Sequence, residues 1–200
     1  MSVLSQHLKG WSREHFALAL RVLEYGYGTR ERGIIYSSND PHGVNILYAT
    51  ADSNLKPPQS RGARFTMMNG GMISGTSAKH KKFNTSTAET EAEEAFHAST
   101  DVVALRHLMS EIGLPHPTPT VIYCDNKPAI HIMENKGALG KRSKAMDTHI
   151  YALRDRIVDQ EVQLEYCPTE EMVADIGTKS LGKTKFAYFR DLLAGYGLTE

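Results

Sequence analysis

The sequence predicts an α/β domain, with an antiparallel meander that continues into a mixed sheet flanked by helices. Three observations carry that prediction. β-like runs separated by turn signals follow one another between residues 33 and 77. The hydrophobic period becomes helical at Ser86-Thr87-Ala88-Glu89. Beyond Pro115, Pro117 and Pro119, strand-like and helix-like segments alternate.

Each element has a local reason. Ser12 is an N-cap for an amphipathic helix through Phe16, Leu20 and Leu23, which dissolves at the glycines 26 and 28. β-like runs follow at Gly33 to Ser37, Val44 to Asp52 and Ala63 to Met68, and Asn69-Gly70-Gly71 turns the chain into another at Met72 to Ser77. This gives a meander of three or four strands. Lys56-Pro57-Pro58-Gln59-Ser60 cannot continue a central strand. Ser86 to Glu89 is a capping-box pattern, and Ala92, Ala95, Phe96, Ser99, Val102 and Val103 keep helical spacing as far as Gly113. That long helix is expected to pack on the meander. Thr120 to Cys124 reads as a buried strand ending at Asp125, followed by a helix through Ile130 and Met133. A Gly- and Lys-rich loop spans residues 136–144, and Asp147 caps a helix through Ile150, Leu153 and Ile157. Val162 to Tyr166 alternates as a strand, a helix starts near Thr169, and Phe186 to Leu193 is helical up to Gly195.

Two hundred residues suffice for one domain with a sizeable core. A hydrophobic content of 40% excludes disorder and collagen. Lys+Arg and Asp+Glu both number 23, which removes any global electrostatic argument for nucleic-acid binding, so such a claim rests on local patches. Cys124 and Cys167 lie in strand-like runs without C-x-x-C spacing. They indicate neither a disulfide framework nor a zinc site, and a reducing compartment fits. The first ten residues contain no apolar signal-like run, and Phe16 to Leu23 is short and contains Arg21. The expectation is a chain neither secreted nor membrane-spanning. No internal repeat or low-complexity segment is visible.

Four acids stand where elements begin or end beside apolar runs. Asp52 closes the second run, Glu91 flanks the apolar face of the long helix, Asp125 closes the strand at 121–124, and Asp175 lies in the helix after the next strand. Strand ends and facing helices can bring such side chains together. Clustered carboxylates repel one another at low dielectric and call for a cation, and hard oxygen ligands with room for water select Mg²⁺ or Mn²⁺. Two such ions about 3.5–4 Å apart can activate a water and stabilise the leaving oxygen of a phosphodiester.

With acids at these four points, the order of elements resembles ribonuclease H. In finer detail it resembles the ribonuclease H of copia-type retrotransposon polyproteins. Ser86-Thr87-Ala88-Glu89-Thr90-Glu91 is similar to that family's Ser-Thr-Ala-Glu-Ala-Glu. Tyr123-Cys124-Asp125-Asn126-Lys127-Pro128-Ala129-Ile130 is similar to its Tyr-Cys-Asp-Asn-x-x-Ala-Ile, and the run from Leu164 through Asp175 to Lys179 resembles its closing strand and helix. His15, Leu20 to Leu23, Tyr25, Gly28-Thr29 and Gly33 resemble the linker that joins reverse transcriptase to ribonuclease H. The resemblance implies a ribonuclease H-like fold with a mixed five-stranded sheet, in a domain at 43–200 preceded by a linker helix and strand at 1–42.

The same resemblance implies Asp52, Glu91, Asp125 and Asp175 as metal ligands. At 100° per residue, Glu89 and Glu91 border the face of Ala88, Ala92, Ala95 and Ser99, whereas Glu93 and Glu94 are expected to point away. The family pattern then favours Glu91. Where the family has Tyr-Ser-Asp-Ala-Asp-Trp, this chain has Tyr48-Ala49-Thr50-Ala51-Asp52-Ser53, which leaves Asp52 as the one candidate. Many cellular ribonucleases H carry a His shortly before the last Asp, but here Thr169-Glu170-Glu171 occupies that stretch. Asp147 is a reserve ligand.

Singly, each acid has a plainer reading as a turn, cap or helix-surface residue, and only the joint pattern lifts them. The same weighing applies to Lys79, Lys81 and Lys82 and to Lys136, Lys141, Arg142 and Lys144. Each run alone is a solvated loop, but two basic loops beside an acid cluster are what a duplex-binding enzyme needs. Asn126 and Lys179 complete the expected nucleic-acid contacts. The histidines show no metal-binding spacing, Met67, Met68, Met109, Met133 and Met172 are core filler, and Cys124 is a small buried side chain.

The expected function is hydrolysis of the RNA strand of RNA–DNA hybrids with two Mg²⁺ or Mn²⁺ ions. The implied partners are the hybrid and the reverse transcriptase domain of the same polyprotein, with no membrane. The implied location is the cytoplasm, or a virus-like particle if the element is active. The alternative is a non-catalytic ribonuclease H-like connection or hybrid-binding module of a degenerate element. An integrase-like nuclease shares the fold, but its last acid is normally Glu, where this chain offers Asp175.

Overall fold

The computed structural model describes residues 4–7, 9–55, 60–80, 86–134 and 144–196, with backbone alone at 5, 6 and 144–147. The chain divides into two units, Met1–Ile34 and Ile35–Glu200. In the first, a 3₁₀ turn at Leu4–His7 precedes α1, Arg13–Gly28. Ser12 caps α1 through a reciprocal box, in which its hydroxyl accepts from the His15 N–H and His15 Nδ1 accepts from the Ser12 N–H at 3.0 Å. The helix passes through Gly26 and ends at Gly28, the second of the two glycines expected to stop it. Its last turn is held by Thr29, whose N–H and hydroxyl both donate to the Tyr25 carbonyl.

The second unit is built on five strands: β1 Leu47–Asn54, β2 Arg61–Met68, β3 Gly71–Lys79, β4 Thr120–Cys124 and β5 Val162–Tyr166. They lie in the order β3-β2-β1-β4-β5. β1, β2 and β3 pair antiparallel, and β4 and β5 continue the sheet parallel to β1. This is the mixed five-stranded, helix-flanked architecture expected from the sequence. The β2–β3 hairpin turns on Asn69 (φ 52) and Gly70 (φ 78), the pair of left-handed residues that a tight two-residue hairpin requires.

The meander has three strands. The expected run at Gly33 to Ser37 joins no ladder, because the Ile35 N–H donates to the Ala194 carbonyl and the Ser37 N–H to the Asn69 carbonyl. β1 starts at Leu47 rather than Val44, because Asn45 has φ 59, a left-handed conformation that interrupts extended chain.

The helices are α2 Thr87–Glu111, α3 Lys127–Glu134, α4 Lys144–Val158, α5 Asp175–Thr178 and α6 Lys183–Leu193. α4 begins before Asp147, which therefore sits in its first turn and is no N-cap. The helix expected near Thr169 is only the single turn of α5, because residues 168–174 form turns closed by Glu171 N–H to Pro168 O and Asp175 N–H to Met172 O.

One face of the sheet carries the main core. Ala49 and Ala51 of β1 meet Ala92, Ala95, Ala98 and Val102 of α2, and the core continues through Ile122, Met133, Ile150, Leu153 and Leu164. Alanines on both elements let α2 lie close to β1. Along β2 successive side chains alternate: Arg64 reaches Glu94 of α2, while Ala63 and Phe65 lie against Gly177 of α5. α2 and α5 therefore cover opposite faces.

Candidate metal centre

The β1–β4 pairing ends at Thr50 opposite Tyr123. Two residues further on each strand stand Asp52 and Asp125, side by side in register, where β1 continues and β4 gives way to α3. Asn126 makes that departure by accepting from the Ala129 N–H at 3.0 Å, which caps the helix. Asp52 lies opposite Ala63 in the β1–β2 register, on the face covered by α5. Asp175 opens α5 on that same face. One oxygen from each of Asp52, Asp125 and Asp175 lies within 4.8 Å of the other two.

Asp52 and Asp175 are 1% and 2% exposed, and Asp125 is partly open to solvent. Hydroxyls and ammonium groups aim the carboxylates. Thr178 Oγ1 donates to Asp52 Oδ2, and Thr169 Oγ1 donates to Asp125 Oδ2 at 3.0 Å. Lys179 Nζ donates to Asp175 Oδ1 at 2.5 Å and to Asp52 Oδ1 at 3.4 Å, and Lys185 Nζ donates to Asp175 Oδ2 at 3.2 Å and to the Thr169 carbonyl at 3.1 Å.

Glu91 approaches from α2, on the other face of the sheet. Its Oε1 accepts from the Ser53 N–H at 3.4 Å, and its Oε2 is buried without a hydrogen-bond partner. Burial, then the nearby charges of Asp52 and Asp125, push its pKa up to about 9. Burial also raises Asp52, against the Thr178 hydroxyl and Lys179, which favour its ionised form. Of the four expected ligands, the three aspartates converge and Glu91 stands outside that group, near enough to feel the charges of Asp52 and Asp125. The aspartates are hard oxygen donors suited to a divalent cation, and the buried Glu91 oxygen without a partner adds a further oxygen near them. Cys124 is fully buried, and burial holds its thiol well above the ordinary range, so it offers no thiolate.

Two acids expected to face away do not. Glu93 and Glu94 are buried at 8% and 2% exposure. Glu94 accepts from Arg64 Nη1 at 2.9 Å and pairs with His80 Nε2 at 2.9 Å, and Glu93 Oε2 lies 3.4 Å from His80 Nδ1. Gly62 makes the room, since a Cβ there would stand 1.8 Å from Glu94 Oε2. The sequence signal was present: Glu91, Glu94 and Ala98 fall on one helical stripe, and Arg64 and His80 are the complementary charges.

Of the expected nucleic-acid contacts, Lys81, Lys82, Lys136, Lys141 and Arg142 lie outside the described residues, as does the Lys144 side chain. Lys79 ends β3, paired across the ladder with Arg61. Lys179 is turned into the acid cluster. Thr178, Thr169, Ser53 and Lys185 were not singled out from the sequence, because donors to a cluster are recognised only once the cluster is assembled. Among the described residues no helix is long and apolar enough to cross a membrane.

No family model matches the chain. It is 28% identical over 198 residues to the retrovirus-related Pol polyprotein from transposon TNT 1-94 of Nicotiana tabacum, an alignment covering 96% of this chain and 14% of that protein. It is 26% identical over 188 residues to the Pol polyprotein from transposon RE1 of Arabidopsis thaliana, covering 93% of this chain and 13% of the relative. With the transposon Ty1-LR3 Gag-Pol polyprotein of Saccharomyces cerevisiae it shares 26% over 185 residues, covering 90% of this chain and 10% of the relative. Among solved structures, LC11-RNase H1 in complex with RNA/DNA hybrid is similar at a TM-score of 0.49 and 12% identity, covering 66% of this chain and 93% of that one. The foamy viral protease-reverse transcriptase in complex with RNA/DNA hybrid is similar at a TM-score of 0.47 and 10% identity, covering 72% and 20%. Over most of its length, the chain is homologous to one short segment of the copia-type retrotransposon Pol and Gag-Pol polyproteins.

Proposed function

We propose that this chain is the ribonuclease H segment of a copia-type retrotransposon polyprotein, and that it hydrolyses the RNA strand of RNA–DNA hybrids. The observation that carries the reading is the convergence of Asp52, Asp125 and Asp175 within 4.8 Å at the open end of β4. Those three residues, with Glu91, would hold two Mg²⁺ or Mn²⁺ ions. When bound, such ions lower the pKa of a water and stabilise the leaving oxygen of a phosphodiester.

The chain's own residues prepare that site. Thr178 holds one oxygen of Asp52 and Thr169 one oxygen of Asp125, while the second oxygen of Asp52 meets the ammonium of Lys179. The Ser53 N–H holds Glu91 Oε1, so that the unpartnered Oε2 is the atom on offer. α5 carries Asp175 and Thr178 together, so one short turn sets two of the contacts. The 2′-hydroxyl and minor-groove shape of the hybrid, rather than base identity, would select the RNA strand. The upstream partner would be the reverse transcriptase of the same polyprotein.

The rival reading is a hybrid-gripping module without catalysis. Two lysines already compensate the aspartates in the fold, which is the observation in its favour. Mg²⁺-dependent cleavage of an end-labelled RNA–DNA hybrid by the purified chain separates the two. Cleavage leaving a 3′-hydroxyl on the RNA is the expected result. Hybrid binding without cleavage in either Mg²⁺ or Mn²⁺ would establish the rival.

A further inference from the structure

Lys179 follows Asp175 by four residues and closes α5, which directs its side chain back over the acids. Its ammonium nitrogen lies 2.5 Å from Asp175 Oδ1, 3.4 Å from Asp52 Oδ1 and 4.0 Å from Asp125 Oδ2. It therefore contacts all three members of the cluster, at the place a metal ion would share. Lys185 differs, for it reaches only the second oxygen of Asp175 and is tied to the Thr169 carbonyl.

Carboxylates as buried as Asp52 and Asp175 are costly to desolvate unless a positive charge accompanies them. Lys179 supplies that charge and lets the three acids assemble in a metal-free fold. The same contact opposes a metal ion. A divalent cation held by these oxygens and an ammonium within 4.0 Å of them repel each other, in a site where screening is weak. The lysine is the partner able to move, since its side chain is 32% exposed on a flexible stem, while those of Asp52 and Asp175 are 1% and 2% exposed.

We propose that Lys179 is a tethered counter-ion of the acid centre, which competes with a divalent cation for Asp52, Asp125 and Asp175 and leaves them when that cation enters. The proposal rests on the metal-centre reading above. It makes Lys179 a residue that sets metal affinity, distinct from one that merely stabilises the fold.

The test is direct Mn²⁺ binding to the full chain, read by the loss of the free-ion electron paramagnetic resonance signal. Wild type, Lys179→Met, Lys179→Arg and Asp125→Asn are compared, with the metal-free thermal midpoint recorded beside each. Lys179→Met is expected to bind Mn²⁺ about tenfold tighter than wild type, within the usual range of coupling between two competing ligands, while its metal-free midpoint falls. Lys179→Arg keeps the charge and is expected to bind no tighter than wild type. If Lys179→Met does not fold without metal, Lys179→Gln takes its place. Equal or weaker Mn²⁺ binding by the neutral variants overturns the proposal. Failure of the metal-centre reading has a different signature, with Mn²⁺ binding either absent in wild type and variants alike or unaffected by Asp125→Asn, and that result removes the proposal as well.

Discussion

Gly177 lies so close to Ala63 that a Cβ placed on the glycine would stand 2.5 Å from the alanine Cβ, with the Ser77 Cβ at 3.3 Å. This approach seats α5 on the sheet, and α5 carries Asp175 and Thr178, with Lys179 as its cap. Gly177→Ala is expected to destabilise the chain by about 1–3 kcal/mol through overpacking and to lower Mg²⁺-dependent cleavage with it. Urea denaturation and hybrid cleavage measure the two effects. An alanine variant with wild-type stability and activity would show that α5 can shift without disturbing Asp175.

Asp125→Asn is expected to lower hybrid cleavage by more than about 100-fold, beyond what removal of a merely supporting residue costs a metal site. Its thermal midpoint should stay level or rise slightly, because the substitution removes one of the repelling charges beside Asp52 and Glu91. Near wild-type cleavage by this variant in Mg²⁺ would remove Asp125 from the centre.

His80 predicts a pH dependence of stability. Burial works against its charge, but Glu93 and Glu94 outweigh burial and push its pKa from 6.5 up to about 9. The folded value is the higher one, so the stabilisation is complete below pH 6.5 and is lost as the pH rises through about 9. Metal-free stability should fall by about 1–3 kcal/mol across that window on this account. Glu91, raised from 4.5 to about 9, adds a fall of the same sign from lower pH upward. The histidine's share is therefore the difference between wild type and His80→Gln in urea denaturation at several pH values. Identical slopes for the two chains would show that His80 does not carry its charge in the fold.

Hybrid binding should weaken steeply with salt despite the chain's formal neutrality, because a phosphate grip depends on local charge. Neutralising Lys141, Arg142 and Lys144 together is expected to reduce the slope of log K against log salt by roughly one unit for each phosphate that these side chains neutralise. An unchanged slope would show that these three side chains neutralise no phosphate.

Much of the fold was legible because its signals are local. Asn69-Gly70 specifies a tight hairpin wherever it lies between apolar runs, and Ser86 caps a helix through its own hydroxyl, which accepts from the Glu89 N–H at 3.2 Å. Asp125 and Asp175 could be singled out because each stands where an element ends or begins, whereas Asp52, read as the end of its run, lies two residues inside the end of β1. The misreadings share a cause in non-local partners. Gly33 to Ser37 has strand composition, but Ile35 and Ser37 donate to Ala194 and Asn69 rather than to a neighbouring strand. Glu93 and Glu94 read as pointing away from the apolar face because Arg64 and His80, which pair with them, come from distant parts of the chain.

The sequence alone determined the order of the elements, the resemblance to copia-type ribonuclease H and the acids worth watching, because hydrophobic period, caps, turns and motif spacing are written in neighbouring residues. Only the tertiary structure decided which charges meet. The parallel register of β1 and β4 sets Asp52 beside Asp125, and the absence of a Cβ at Gly177 lets α5 bring Asp175 to them. The turn from Asp175 to Lys179 then places an ammonium group among all three. The physical reason is range. Backbone preferences act over a few residues, whereas the energy of a buried charge depends on whatever the fold packs within a few ångströms of it.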